Sequence, residues 1–146
     1  GVKVKVLQNI SYPDHNVKLH KGDKVTLNGE EAYCYLRGRN VKEYDSASDR
    51  LRREEQYIVA YMDRLKVLAA DDPSAVMGVY NSIEDYLVTS VDFSNLINEL
   101  MSYDFQDDDM YTVPGETVQG DEYEEYHVDE DAMQDMIMNI FYTPVS

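Results

Sequence analysis

Five of the six arginines in this chain, Arg37, Arg39, Arg50, Arg52 and Arg53, fall between residues 37 and 53 of a protein whose formal net charge is -16. Guanidinium groups suit a multiply charged oxyanion, because each presents a rigid fork of N–H donors that phosphate or carboxylate oxygens accept in pairs. Arg37 and Arg39 are two apart and share a face if their segment is extended. Arg50 and Arg53 are three apart and share a face if theirs is helical. Two such pairs at the ends of one polar loop would suit a pyrophosphate. Basic residues early in a helix also oppose its dipole, by roughly 0.3–1 kcal/mol each, so something negative must compensate them. Two readings stand side by side: a bound anion, or an ion-pair network with Asp45, Asp49, Glu54 and Glu55.

The rest of the composition narrows the chemistry. Residues 1–66 carry all 13 Lys and Arg against 10 acids, whereas residues 67–146 carry 19 acids and no Lys or Arg. A field this acidic repels nucleic-acid backbones, so no nucleic-acid partner is expected and any anion site must be local to the first half. The single cysteine, Cys34, lies between aromatic and apolar neighbours in AYCYL and reads as core, which removes disulfide frameworks and thiolate metal sites. His15, His20 and His127 are widely separated and read as surface residues rather than zinc ligands. Asp107, Asp108 and Asp109 lack the alternation and glycine of a calcium loop and read as a solvated turn. Phosphate-loop, dinucleotide and nucleophile-elbow motifs are absent. No apolar run reaches the roughly 18 residues of a membrane span, and the first residues do not form a signal peptide, so compartment stays open on composition.

The elements that must position the arginines follow from periodicity. VKVKV alternates and predicts a strand with Val2, Val4 and Val6 on one face, and YPDHN predicts a turn. Asn28-Gly29 reads as a second turn, after which EEAYCYL fits a short helix or a strand equally well. Tyr57, Ile58, Tyr61, Leu65 and Leu68 form a helical stripe over roughly residues 50–68. Asp72 and Pro73 open a second helix carrying Val76, Val79, Ile83 and Leu87. A third starts near Asp92 with Phe93, Leu96, Ile97 and Leu100. MYTVPG and EEYHV are strand candidates around a loop at Gly120, and Asp129 caps a last helix through Met133, Met136, Ile137 and Ile140 that ends near Pro144. Strands near both ends with helices between them predict one α/β domain over residues 1–146.

The segments LNGEEAYCYLRGR and DSASDRLRREEQYIVAYM resemble the LytR-CpsA-Psr family. Its pattern is matched by Leu27, Gly29, Ala32, Tyr35, Arg37 and Arg39, then Asp45 and Ser46, then Arg50 and Arg53, and the specific part lies within residues 25–58. The resemblance implies a mixed sheet flanked by helices on both faces, with a deep apolar lipid pocket. It implies membrane-anchored, outward-facing envelope enzymes that use Mg2+ to transfer phosphoglycan from a polyprenyl-pyrophosphate carrier to peptidoglycan. Arg37, Arg39, Arg50 and Arg53 would then hold the pyrophosphate, with Asp45, Glu54 and Gln56 in support. Glu54 stands where the family usually has glutamine, placing a carboxylate where a donor is expected. The family's older description as transcriptional attenuators has no DNA-reading motif behind it here.

The resemblance also implies that the family's metal-binding aspartates and a further arginine precede the strand matched by VKVKV. The chain therefore looks like the C-terminal part of such a domain, with no complete catalytic set, no metal ligands and no cofactor of its own. Two expectations follow. The Val2–Val4–Val6 strand would be left uncovered and would pair with a second copy, and this chain would bind pyrophosphate without turning it over. The alternative from a different class is a non-catalytic envelope interaction module that uses the acidic second half.

Overall fold

Period-two patterning makes the first strand. In β1 (Val2–Lys5), Val2 and Val4 are buried while Lys3 and Lys5 face solvent, and the strand pairs antiparallel with β4 (Lys24–Leu27). Between them, β2 (Ile10–Tyr12) and β3 (Val17–Leu19) form a second antiparallel pair, with Ile10 opposite Leu19. The turn expected at YPDHN joins them as a 3-10 turn over Pro13–His15, closed by Asn16 in a left-handed conformation (φ 52°) that asparagine tolerates. This computed structural model describes residues 1–40, 43–88, 90, 99, 101–104, 106 and 109–143.

The ambiguous segment after β4 is helical. In α1 (Gly29–Arg37), Asn28 is the cap rather than the start of a hairpin turn. Its side chain accepts from the Glu31 N–H at 2.9 Å, and Glu31 Oε2 accepts from the Asn28 N–H at 2.9 Å. That reciprocal box satisfies two donors a turn would leave to solvent, and it overrides the Asn-Gly signal. Helix α2 (Ser46–Asp71) starts and ends a few residues outside its apolar stripe. Asp72 then caps α3 (Pro73–Asn81), as expected, accepting from the Ser74 N–H at 3.0 Å. Val76 is buried, but α3 ends before Ile83 and Leu87, which are each 45% exposed. The chain turns into a 3-10 segment at Glu84–Tyr86, so those two side chains leave the helical face. Asp92, Phe93, Leu96, Ile97 and Leu100 of the expected third helix, the turn residues Asp107 and Asp108, and Pro144 lie outside the described residues.

In the second half, β5 (Gly115–Gln119) and β6 (Glu124–Val128) form a third antiparallel pair. EEYHV is the strand the sequence suggests. Its partner begins only where MYTVPG ends, because Pro114 has no N–H to give a ladder. Asp129 caps α4 (Glu130–Phe141), accepting from the Ala132 N–H at 3.0 Å. Met133, Met136 and Ile140 are half-buried, and Ile137 is more exposed.

The architecture is therefore α/β, with small antiparallel sheets flanked by helices. One core unites Val2, Val4, Val6, Ile10, Val17, Leu19, Leu27, Ala32, Cys34 and Tyr35, with Tyr57, Ala60 and Tyr61 of α2 packed against it. The valine face of β1 that was expected to lie open is thus covered from within the chain. Burial pushes the Cys34 thiol up from its ordinary pKa, in keeping with a core role. Tyr35 is fully buried and its hydroxyl is used twice, donating to Gln56 Oε1 at 2.8 Å and accepting from the Leu7 N–H at 3.3 Å. Tyr35→Phe should cost about 1–2 kcal/mol in urea denaturation, the scale of an orphaned half-buried donor; a loss of under a few tenths would show that water replaces the hydroxyl.

Candidate functional site

Helix α1 delivers its C-terminus to the first half of α2, where Arg53 meets Tyr35 and Gly38. A side chain at Gly38 would place Cβ 2.6 Å from the Cys34 carbonyl oxygen and 3.0 Å from Ile10 Cγ2, so only glycine lets the backbone pass there. The Gly38 N–H closes α1 on Cys34 O at 2.8 Å, and the Gly38 carbonyl accepts from a guanidinium N–H of Arg53.

Arg53 is 3% exposed. Its Nε donates to Tyr35 O at 2.8 Å, Nη1 to Gln8 Oε1 at 2.9 Å and Nη2 to Gly38 O. The guanidinium carbon lies 5.8 Å from the centre of the Tyr35 ring. Burial lowers its pKa, with Arg50 acting the same way and Tyr35, Asp49 and Glu54 opposing. These three acceptors are uncharged and belong to the fold, so Arg53 is first a strut between α1, the β1–β2 loop and α2.

Arg39 lies just past that strut and is half-exposed. Its Nε donates to Ser46 Oγ at 2.9 Å, and its Nη2 lies 3.5 Å from Glu124 Oε2 at the start of β6. Ser46 is buried at the first turn of α2. Asp45, immediately before it, has left-handed backbone (φ 58°). Its N–H donates to Glu124 Oε1 at 2.8 Å, and its Oδ1 accepts from Ser48 Oγ at 2.5 Å and Thr117 Oγ1 at 2.6 Å. The Ser48 and Thr117 hydroxyls hold the Asp45 carboxyl below its usual pKa, and Arg52 at 3.9 Å adds to this. Tyr44 donates its hydroxyl to the Thr117 carbonyl. The β5–β6 hairpin is thereby fastened to the start of α2.

Two spaces meet at Arg39. A pocket of about 320 Å³ is lined by Arg39 and Arg53 with Gln8, Asn40, Ser46 and Asp49. An open groove of about 1070 Å³ runs between α2 and the hairpin. Its walls hold Arg39, Arg50 and Arg52, several carboxylates including Asp45, Glu54 and Glu124, and the apolar surfaces of Leu51, Tyr111, Val113 and Tyr126. Arg50 faces this groove. Its Nε lies 3.4 Å from Glu54 Oε1, yet it is enclosed and makes no aligned hydrogen bond within the described residues.

The four arginines singled out by spacing do not form two equivalent pairs. Arg37 ends α1 on the exposed side and belongs to the lining of neither space. Its charge reaches Tyr12 instead, whose pKa is raised chiefly by Tyr33 and slightly lowered by Arg37. The helical turn at Arg37 removes the shared extended face on which the Arg37–Arg39 pairing relied. Arg50 and Arg53 do lie on one side of α2, but burial divides them, Arg53 in the interior and Arg50 at the groove. Gln56 serves the core, accepting from Tyr35 and donating its Nε2 to Lys5 O at 3.0 Å. Carboxylates accompany the arginines as well: Arg52 bonds Asp49 at 3.1 Å and Arg50 pairs with Glu54. Sequence reasoning marked Ser46 only as a position of the family pattern and missed Gln8, Thr117 and Glu124. The hydroxyl that Ser46 offers to Arg39 from the first turn of α2 depends on where α1 ends, and Glu124 lies 79 residues from the amide it binds.

Among the described residues, no group of three or more His, Cys, Asp or Glu side chains is placed to hold a metal ion, so the Mg2+ implied by the family resemblance finds no matching ligand set there. No described helix is long and apolar enough to cross a membrane. In comparison with known proteins, the LytR_cpsA_psr family model matches residues 1–141, nearly the whole chain, without marking out a C-terminal portion. No curated protein matches it.

The two helical arginines should separate under mutation. Arg53→Met strands the Tyr35 and Gly38 carbonyls and should lower stability by about 3 kcal/mol, on the scale of lost charged hydrogen bonds with buried acceptors left unpaired. Arg50→Met gives up only a half-exposed i,i+4 pair and should cost less than about 1 kcal/mol. Paired chemical denaturation curves check this, and equal costs would contradict the division of roles.

Proposed function

Because the chain belongs to the LytR_cpsA_psr family, and so to its cell-envelope role, we propose that the groove between α2 and the β5–β6 hairpin receives the pyrophosphate of a polyprenyl-pyrophosphate-linked glycan. The observation that carries this reading is the Arg50 Nε, enclosed and without an aligned acceptor at the wall of a groove that Arg39 and Arg52 also line. A buried N–H without a partner costs free energy that an incoming oxyanion would recover. Leu51, Tyr111, Val113 and Tyr126 place apolar surface along the same groove, where the first isoprene units of a carrier lipid would lie.

Of the four arginines expected to hold pyrophosphate, Arg39 and Arg50 make the direct contacts in this reading. Arg53 positions them by fixing Gly38, one residue before Arg39, and Arg37 contributes only long-range charge. Positioning and charge neutralisation are most of what a protein supplies to phosphoryl transfer. In this reading the chain presents the donor's pyrophosphate while peptidoglycan is the acceptor, on the outer face of the membrane. A second reading, a non-catalytic envelope interaction module, is favoured by Glu54, whose carboxylate already accompanies Arg50 at 3.4 Å.

Calorimetric titration with geranylgeranyl pyrophosphate distinguishes them. Arg39→Ala and Arg50→Ala should each weaken binding by about tenfold or more, the scale of a charge-assisted hydrogen bond. Arg37→Ala should change it by less than about twofold, and rising salt should weaken binding by the wild-type chain. Binding that survives loss of both Arg39 and Arg50 would contradict the pyrophosphate reading and favour the module.

A further inference from the structure

Among the described residues, Glu124 is the acid of the second half that spans both donors at the head of the groove. It takes the Asp45 N–H on Oε1 at 2.8 Å and faces the Arg39 guanidinium with Oε2 at 3.5 Å, and its side chain is only 17% exposed. A backbone N–H beside a guanidinium is the kind of donor pair that phosphate oxygens use. Among the described residues, the hairpin that carries Glu124 is held chiefly by polar contacts. Every residue of β5 and β6 is half-buried or exposed, and neither strand contributes to the core. Its attachment to the start of α2 consists of polar contacts: Glu124 with Asp45 and Arg39, Thr117 with Asp45, and Tyr44 with the Thr117 carbonyl. Such contacts exchange readily with those of a ligand, because each is worth about 1 kcal/mol net.

Building on the pyrophosphate reading, we infer that Glu124 is an internal anion that sets the specificity of the groove. Its carboxylate holds the donor pair and latches the hairpin, and an incoming oxyanion must displace it. A monoanion replaces one carboxylate with another and gains little. A pyrophosphate can take over the Asp45 N–H and Arg39 while also reaching Arg50, which lines the same groove, so displacement favours multiply charged ligands. The left-handed backbone at Asp45 belongs to the same device. It turns the Asp45 N–H toward the hairpin, and the Ser48 and Thr117 hydroxyls on its carboxylate hold it there against the strain of that conformation.

The test compares the wild-type chain with Glu124→Gln. The amide keeps an acceptor for the Asp45 N–H but removes the charge facing Arg39. Calorimetry with inorganic pyrophosphate should give binding about three- to fivefold tighter for the variant, the scale of a half-exposed ion pair. Hydrogen exchange at residues 115–128 should speed up in two cases: in the variant without ligand, and in the wild-type chain on adding pyrophosphate. Unchanged or weaker pyrophosphate affinity in the variant overturns the inference while leaving the pyrophosphate reading in place. If neither protein binds pyrophosphate, that reading is contradicted, and exchange alone decides the latch: faster hairpin exchange in Glu124→Gln sustains it, and unchanged exchange overturns it.

Discussion

The buried Arg53 guanidinium is the constraint on which the arrangement turns. It reaches from α2 to the carbonyls of Tyr35 and Gly38 and to the Gln8 side chain, joining three segments far apart in sequence through one planar group. A charge this enclosed is tolerable only when its donors are matched by well-placed acceptors, and here the end of α1 supplies two of them. The same contacts settle where Arg39 can be, since it follows Gly38 directly, and where α2 can begin, since Arg39 bonds Ser46 in its first turn. Loss of the strut would therefore disturb the groove without touching it.

From that anchor the molecule divides into two physical regimes. Residues 1–40 and the face of α2 that covers them share an apolar core and a doubly used tyrosine hydroxyl. The β5–β6 hairpin meets this body through hydroxyls, carboxylates and one guanidinium. The charge division follows the same line, with all Lys and Arg in the first 66 residues and only acids beyond. Opposite charge therefore draws the hairpin toward the arginine-bearing segment, where its acids compete with any anion that binds. Such an attachment is weakened by salt more than a core is, which fits the proposed displacement of Glu124 by a charged ligand.

Much of this was legible in the chain itself. Alternating valines, the Asp72-Pro73 and Asp129 caps, and the apolar stripe of α2 are local signals with local causes, and they placed the starts of their elements within a few residues, although α3 ends at Asn81, short of the expected Ile83 and Leu87. Asn28-Gly29 misled because a glutamate three residues on turns the same asparagine into a helix cap. The Arg37–Arg39 pairing misled because its geometry depended on an extended segment, whereas Arg37 is the last residue of α1 and the chain becomes extended only at Gly38. The arginine cluster was visible as a site candidate, but its division of labour was not. Burial of Arg53 against exposure of Arg37 depends on Gln8, Tyr35 and Gly38, and the hold on Arg39 depends on Glu124. Those are tertiary contacts without any spacing rule.

Arginine Nε resonances report these roles most directly, because each of the three side chains has a single Nε–H in a different environment. In a proton–nitrogen correlation spectrum titrated with pyrophosphate, the Arg39 and Arg50 Nε–H signals should shift together and saturate at one affinity, while Arg53 Nε–H, bonded to Tyr35 O at 2.8 Å, stays in place. Movement of Arg53 without Arg50, or no movement at Arg39 and Arg50 at saturating pyrophosphate, would contradict the account.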